Sequence, residues 1–188
     1  MNETSAFVYY EFYEVGERLA KAMNRIGGEL NDLLTSLDAL VERAKRENAD
    51  PLAIETMITV YYAVQTVKNS VGEKLGVYIK MVAESMRSKL LNLLGNRICT
   101  YSDLNELTKR FGVERAIVEC YKQNIVACRD APNAQEGEKM IDVIYFKPDG
   151  APDRILIRYL PGNEKLRYGT LPIILAVYEK CLGVKVDA

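Results

Sequence analysis

Apolar residues in the first half of the chain recur at alternating intervals of three and four. From Phe12 the stripe runs Phe12, Val15, Leu19, Ala22, Ile26, Leu30, Leu33, Leu37, Leu40 and Ala44. This spacing keeps one side of an α-helix apolar and is the seam of a coiled coil. One extra step of four separates Ile26 from Leu30, a stutter that falls on Gly27-Gly28, where the pattern predicts a kink or a close helix approach. Asp50-Pro51 then reads as an N-cap followed by a proline in the first helical position. A second stripe follows: Ile54, Met57, Tyr61, Val64, Val67, Val71, Leu75, Tyr78, Val82, Met86, Leu90 and Leu93, closed by Gly95-Asn96. Two helices of about 40 residues, roughly 60 Å each, joined by so short a loop predict an antiparallel αα-hairpin.

Two helices alone cannot cover both stripes and the flanking Leu34, Val41, Val60 and Ile79. Some of that surface is expected to meet the C-terminal half or another chain. Phe7, Tyr9, Tyr10, Phe12 and Tyr13 put aromatic rings on every side of one helical turn, and this cluster is the candidate partner-binding site.

Beyond Gly95 the pattern changes, which predicts domains at residues 1–95 and 96–188. Thr100-Tyr101-Ser102-Asp103 offers caps for a helix from Leu104 to Phe111; Gly112 ends it, and Val113 to about Asn124 reads as a second helix. Strands are expected at 125–128, 140–146 and 154–160. Pro148-Asp149-Gly150 is a turn signal between the last two. A final helix starts at Pro172, is closed by Gly183 and is followed by Val184-Lys185-Val186. The expected fold class is therefore mainly α with a small α/β part: a long antiparallel helical hairpin followed by a module with a short sheet.

The 188 residues include no histidine, which excludes Ser-His-Asp and Cys-His catalysis and every imidazole metal site. Phosphate-cradling G-x-x-x-x-G-K-[ST] and G-x-G-x-x-G loops do not occur. The carboxylate pairs Asp149/Asp153 and Glu136/Glu138 lie in expected turns and read as solvated. The chain is expected to be no enzyme and to hold no cofactor or metal. Cys99, Cys120, Cys128 and Cys181 show no C-x-x-C spacing and sit beside apolar residues, so they read as small buried hydrophobes; a disulfide cannot be read from them. The first residues lack a basic and apolar leader, and no run is long enough to span a membrane. These features predict a cytoplasmic, reduced protein.

The run from Ser102-Asp103-Leu104-Asn105-Glu106-Leu107 through Phe111-Gly112-Val113 to Ile125-Val126 resembles the winged-helix superfamily over residues 100–147. The resemblance implies that the second helix could enter a DNA groove, with Lys109, Arg110, Arg115 and Lys122 as its basic patch. Ile117 and Cys120 would then face the core, and Glu114, Arg115, Val118, Glu119 and Lys122 would face outward. Charge opposes that use. The chain carries 25 Lys+Arg and 26 Asp+Glu, with 11 against 13 in residues 1–95 and 14 against 13 in residues 96–188. Polyanion binders show a basic excess instead.

The layout from Leu33 to Met86, with Ala49-Asp50-Pro51 between the helices, is similar to the helical domain of subunits of the archaeal GINS complex. The run Leu171-Pro172-Ile173-Ile174-Leu175-Ala176, with Gly183 and Val186 after it, resembles the segment that closes the small β domain of that family. The winged-helix-like segment departs from the family pattern. The resemblance implies a non-enzymatic hetero-oligomer subunit in a replication complex. The leading expectation is accordingly an assembly or scaffold subunit with protein partners, as a homo- or hetero-oligomer without a membrane. The alternatives are a winged-helix DNA-binding regulator dimerising through the hairpin and a structural or filament protein.

Overall fold

The computed structural model describes residues 4–70, 75–132, 134–159, 165–167 and 170–187. The protein is mainly helical with a small sheet, as the sequence predicts. Helices α1 (Thr4–Arg46), α2 (Pro51–Asn69) and α3 (Gly76–Leu93) are followed by α4 (Tyr101–Phe111), α5 (Val113–Asn124), β1 (Ile125–Asp130), β2 (Lys139–Phe146), β3 (Pro152–Tyr159) and β4 (Lys165–Arg167). Helix α6 (Pro172–Val177) runs into a π-helical turn, Tyr178–Leu182, and β5 (Lys185–Asp187) comes last. The expected residues Val71 and Leu160 lie outside the described residues. Among the described residues, no helix is long and apolar enough to cross a membrane.

The chain divides into two compact units. One is Tyr13–Glu84; the other joins Met1–Phe12 to Ser85–Ala188. The expected division at residue 95 assigned the start of α1 and the end of α3 to the hairpin. Both go to the sheet-bearing unit instead, because Ala6, Phe7, Tyr10 and Leu90 are buried there.

In the hairpin unit, Asp50 caps α2 through its side chain, which accepts a hydrogen bond from Leu52 N–H, and Pro51 takes the first turn. The arms run antiparallel in one register. Gly16 lies against Ala83, and Lys68 Nζ, fifteen residues back from Ala83, donates to the Asn31 side chain, fifteen residues on from Gly16, at 2.8 Å. The helix seam on α1 is Gly16, Ala20, Met23, Gly27, Leu30, Leu34, Leu37, Val41 and Ala44, an unbroken three-four repeat of buried or half-buried residues. The stutter was the product of joining two parallel stripes. Helix α1 runs through Gly27-Gly28 without interruption, and a Cβ at either glycine would meet nothing within 4 Å. The close approach is at Gly16, where a Cβ would stand 3.1 Å from that of Ala83.

In the other unit, α4 begins with a capping box: Thr100 and Asp103 each bond the backbone N–H of the other. Strands β1, β2 and β3 form an antiparallel sheet in that order, and β4 pairs parallel with β5. The central strand β2 is buried from Ile141 to Phe146. Its Ile141, Val143 and Tyr145 join Val118 of α5 and Ile173, Leu175, Ala176 and Val177 of α6 in one apolar cluster. The opposite face carries Asp142, Ile144 and Phe146, also buried, so apolar residues on both alternations mark a sheet covered on both sides.

All four cysteines are paired. Cys99 bonds Cys120, and Cys128 bonds Cys181. This corrects the expectation of free thiols. Each bridge joins elements far apart in sequence, the coil before α4 to α5 and β1 to the π-helical turn, and short-range spacing carries no trace of such pairs. Disulfides of this kind persist in oxidising compartments and in the cytosol of hyperthermophiles.

Candidate functional site

The sequence-predicted residues separate into three places. The first is the aromatic cluster at the start of α1. Phe7 and Tyr10 are buried, so they are core residues of the chain and not partner contacts. Tyr9 is half-buried beneath the Lys89 ammonium, 5.2 Å from its ring centre, and Tyr13 is half-buried. Phe12 stands 58% exposed. Expecting one patch from these five residues overlooked that a helix start docked on a sheet turns neighbouring rings in opposite directions.

Phe7 lies beside the buried carboxylate of β2. The Arg129 guanidinium stacks 3.7 Å from the Phe7 ring centre, and Arg154 lies 5.5 Å from it. Both arginines converge on Asp142, 1% exposed. Arg154 donates from Nε to Oδ1 at 2.8 Å and from Nη2 to Oδ2 at 2.7 Å, and Arg129 donates from Nε to Oδ2 at 3.1 Å. Arg154 also reaches Glu11 at 3.3 Å. Burial pushes the Asp142 carboxyl up, but the hydrogen bonds from Arg154 and Arg129 outweigh it and hold the group below its ordinary value. Nearby, the Arg87 Nε donates to the Gly150 carbonyl at 2.8 Å. Gly150 has φ +81, a backbone conformation that favours glycine in the β2–β3 turn; a Cβ there would stand 2.9 Å from Arg87 Nη2, the movable end of that side chain.

The second place is the expected basic patch. Arg115 bonds Glu179 at 2.5 Å and also pairs with Glu119; Lys122 bonds Glu179 at 3.2 Å and Glu119 at 3.5 Å. Burial raises the Glu179 carboxyl, and its bonds from Arg115 and Lys122 bring it below the ordinary value. Arg115, Lys122 and Glu179 line an open cleft of about 770 Å³ together with Phe111, Gly183, Val184, Lys185 and Val186. Two of the four basic residues are thus committed to carboxylates, and α5 packs against α6. Val118, expected to face outward, is fully buried; Ala116, Cys120 and Asn124 are buried with it, and Ile117 is half-buried. Lys109 and Arg110 remain exposed on α4. Glu179 escaped the sequence reading because its partners lie at least 57 residues away. Asn124 escaped it too. Fully buried, it accepts from Cys99 N–H at 2.5 Å and donates to the Cys99 carbonyl at 3.3 Å, a second clasp beside the Cys99–Cys120 bridge.

Three of the carboxylates weighed for metal binding have other engagements. Asp149 accepts from Ala151 N–H, Asp153 from Tyr145 Oη and Arg154 N–H, and Glu138 pairs with Arg158. Among the described residues no group of three metal-ligating side chains is gathered.

The third place includes residues expected in the hairpin seam. Val15, Leu19, Ile26 and Leu33 are 60%, 44%, 36% and 53% exposed. Each precedes a seam residue by one position: Gly16, Ala20, Gly27 and Leu34. On the returning arm Val60, Val67, Tyr78 and Met81 are 44%, 51%, 65% and 65% exposed and precede Tyr61, Lys68, Ile79 and Val82. A step of one residue turns a helix by about 100°. The same step on two antiparallel helices turns both rows to the same side of their common plane, as matching flanks meet in antiparallel coiled coils. The hairpin therefore presents a two-helix apolar face. The common register sets Val67 near Leu33, and Tyr78 and Met81 near Leu19.

Fold and site together define a mainly helical protein that couples a hairpin with an open apolar face to a disulfide-bonded sheet module. No protein-family model matches the chain, and no match was found among the curated proteins or the solved structures.

Proposed function

We propose that this protein is a non-catalytic assembly subunit that acts through protein–protein contacts. One observation carries the reading: the hairpin leaves large apolar side chains in solvent in rows along both arms. Scattered apolar residues on a surface are ordinary, but a contiguous face of helical spacing marks an interaction site. A place in a replication complex of the GINS kind belongs to the same proposal and is supported by the layout of the hairpin and of the Leu171–Ala176 segment.

The test is the mass of the native complex isolated from the protein's own cells. A stable oligomer or a stoichiometric co-purifying chain is expected. A monodisperse monomer without a partner overturns the reading.

A further inference from the structure

We propose that the two-helix apolar face is covered by the same face of a second copy, giving an antiparallel four-helix bundle at the centre of a two-fold dimer. The inference rests on the assembly reading and names its partner.

The size of the face fits. Its eight side chains expose roughly 800 Å², which matches the ~800 Å² per partner that a stable interface buries and exceeds the largest patch of ordinary monomers, ~300–600 Å². Its shape fits as well. Two helices whose rows follow a three-four repeat present the ridges that interdigitate with another such pair at about 20° in four-helix bundles.

Charge then selects a copy of this chain. A two-fold contact brings each surface against itself, so it needs opposite signs on either side of its axis. On α1 the outer edge of the face carries Glu14, Arg18, Lys21 and Arg25 before Ile26 and Asp32 after it, and Glu29 stands in the row itself, one position before the seam residue Leu30. With the axis passing near Ile26, the arginines of one protomer lie along Glu29 and Asp32 of the other, and Leu19 meets Leu33 of the second copy. Within the chain these charges are engaged by neighbours one turn away: Arg18 with Glu14 at 2.9 Å and Arg25 with Glu29 at 3.8 Å. Such exposed pairs hold weakly and can exchange partners at an interface.

The experiment is sedimentation equilibrium of the purified, disulfide-intact full chain over a wide concentration range, with the Leu33→Glu and Tyr78→Glu variants beside it. Both side chains are more than half exposed, so neither change disturbs a buried site, and circular dichroism checks the helix content of each; if one variant does not fold, the other carries the test. The expected result is a reversible wild-type dimer whose dissociation constant rises about thirtyfold or more in each folded variant. A wild-type dimer that both folded variants leave unchanged overturns the assignment of the face. A purified monomer overturns the second copy as occupant. If that same chain leaves its own cells bound to a different protein, the assembly reading stands without it; if it leaves them alone, both fall.

Discussion

The two units of this protein solve the burial problem in opposite ways. The sheet unit covers β2 on both faces, satisfies its buried Asp142 with two arginines, clasps Cys99 through Asn124, and closes two disulfides. The hairpin unit has a narrow seam. Leu34, Val41, Ala44, Ile79 and Ala83 are its buried apolar residues among those described, α2 contributes no buried residue, and many of its large apolar side chains face solvent. Stability in the first unit is internal and redundant. In the second, much of the apolar surface that could stabilise it is left uncovered by its own chain. The contrast teaches that the length of a helical stripe does not measure how much of it the chain uses for itself.

Four perturbations test this contrast, from the largest effect to the smallest. Reduction removes the cross-links of the sheet unit. Loop-closure reasoning assigns about 4 kcal/mol to Cys128–Cys181, separated by 53 residues, and about 3 kcal/mol to Cys99–Cys120, separated by 21. Thermal unfolding with and without reductant should show a large fall in Tm, and mass spectrometry of alkylated native protein should find no free thiol. Finding four alkylated cysteines in protein from its own cells would remove the cross-links from the contrast.

Asp142→Asn leaves two arginines facing a neutral amide and should cost about 3 kcal/mol in urea unfolding at pH 7. The Asp142 and Glu179 carboxyls both lie below their ordinary values in the folded chain. Their stabilisation is therefore full above about pH 5 and is lost as pH falls through about 4 and below. The wild type should weaken across that range, and Asp142→Asn should flatten the slope. An identical slope in both proteins would deny Asp142 its role.

Gly16→Leu forces a side chain into the 3.1 Å contact with Ala83 and should cost about 1–3 kcal/mol, with hydrogen exchange rising in the hairpin first. At the small end, Leu52→Ser on α2, 68% exposed and outside the two rows, should shift stability by less than about 0.5 kcal/mol. A larger loss there would show that the hairpin relies on its surface more than its seam implies.

The αα-hairpin was legible because its signals are local: helical periodicity, the Asp50-Pro51 start and the Gly95-Asn96 stop. Strands β1, β2 and β3 were legible in the sequence, but β4 and β5, of three residues each, are too short to show a pattern. Which stripe of α1 is the seam was not legible. Hydrophobicity selects Val15, Leu19 and Ile26, whereas the seam runs one residue on, through Gly16, Ala20 and Gly27, with its close approach at Gly16, and the two stripes share one spacing. The Asp142 and Glu179 networks and both disulfides depend on neighbours supplied by folding, so their residues look like ordinary surface charges and apolar thiols in the sequence.

The sheet unit is discontinuous along the chain: Glu11 bonds Arg154 across 143 intervening steps of sequence. Closing so long a loop from a random chain is slow and entropically costly. The hairpin shortens the search. Its two arms can zip in register by local helix growth, and the Gly16–Ala83 contact then leaves the two chain segments that enter and leave it side by side. Pairing of the arms therefore shortens the loop that the first twelve residues must close to rejoin the rest of their unit.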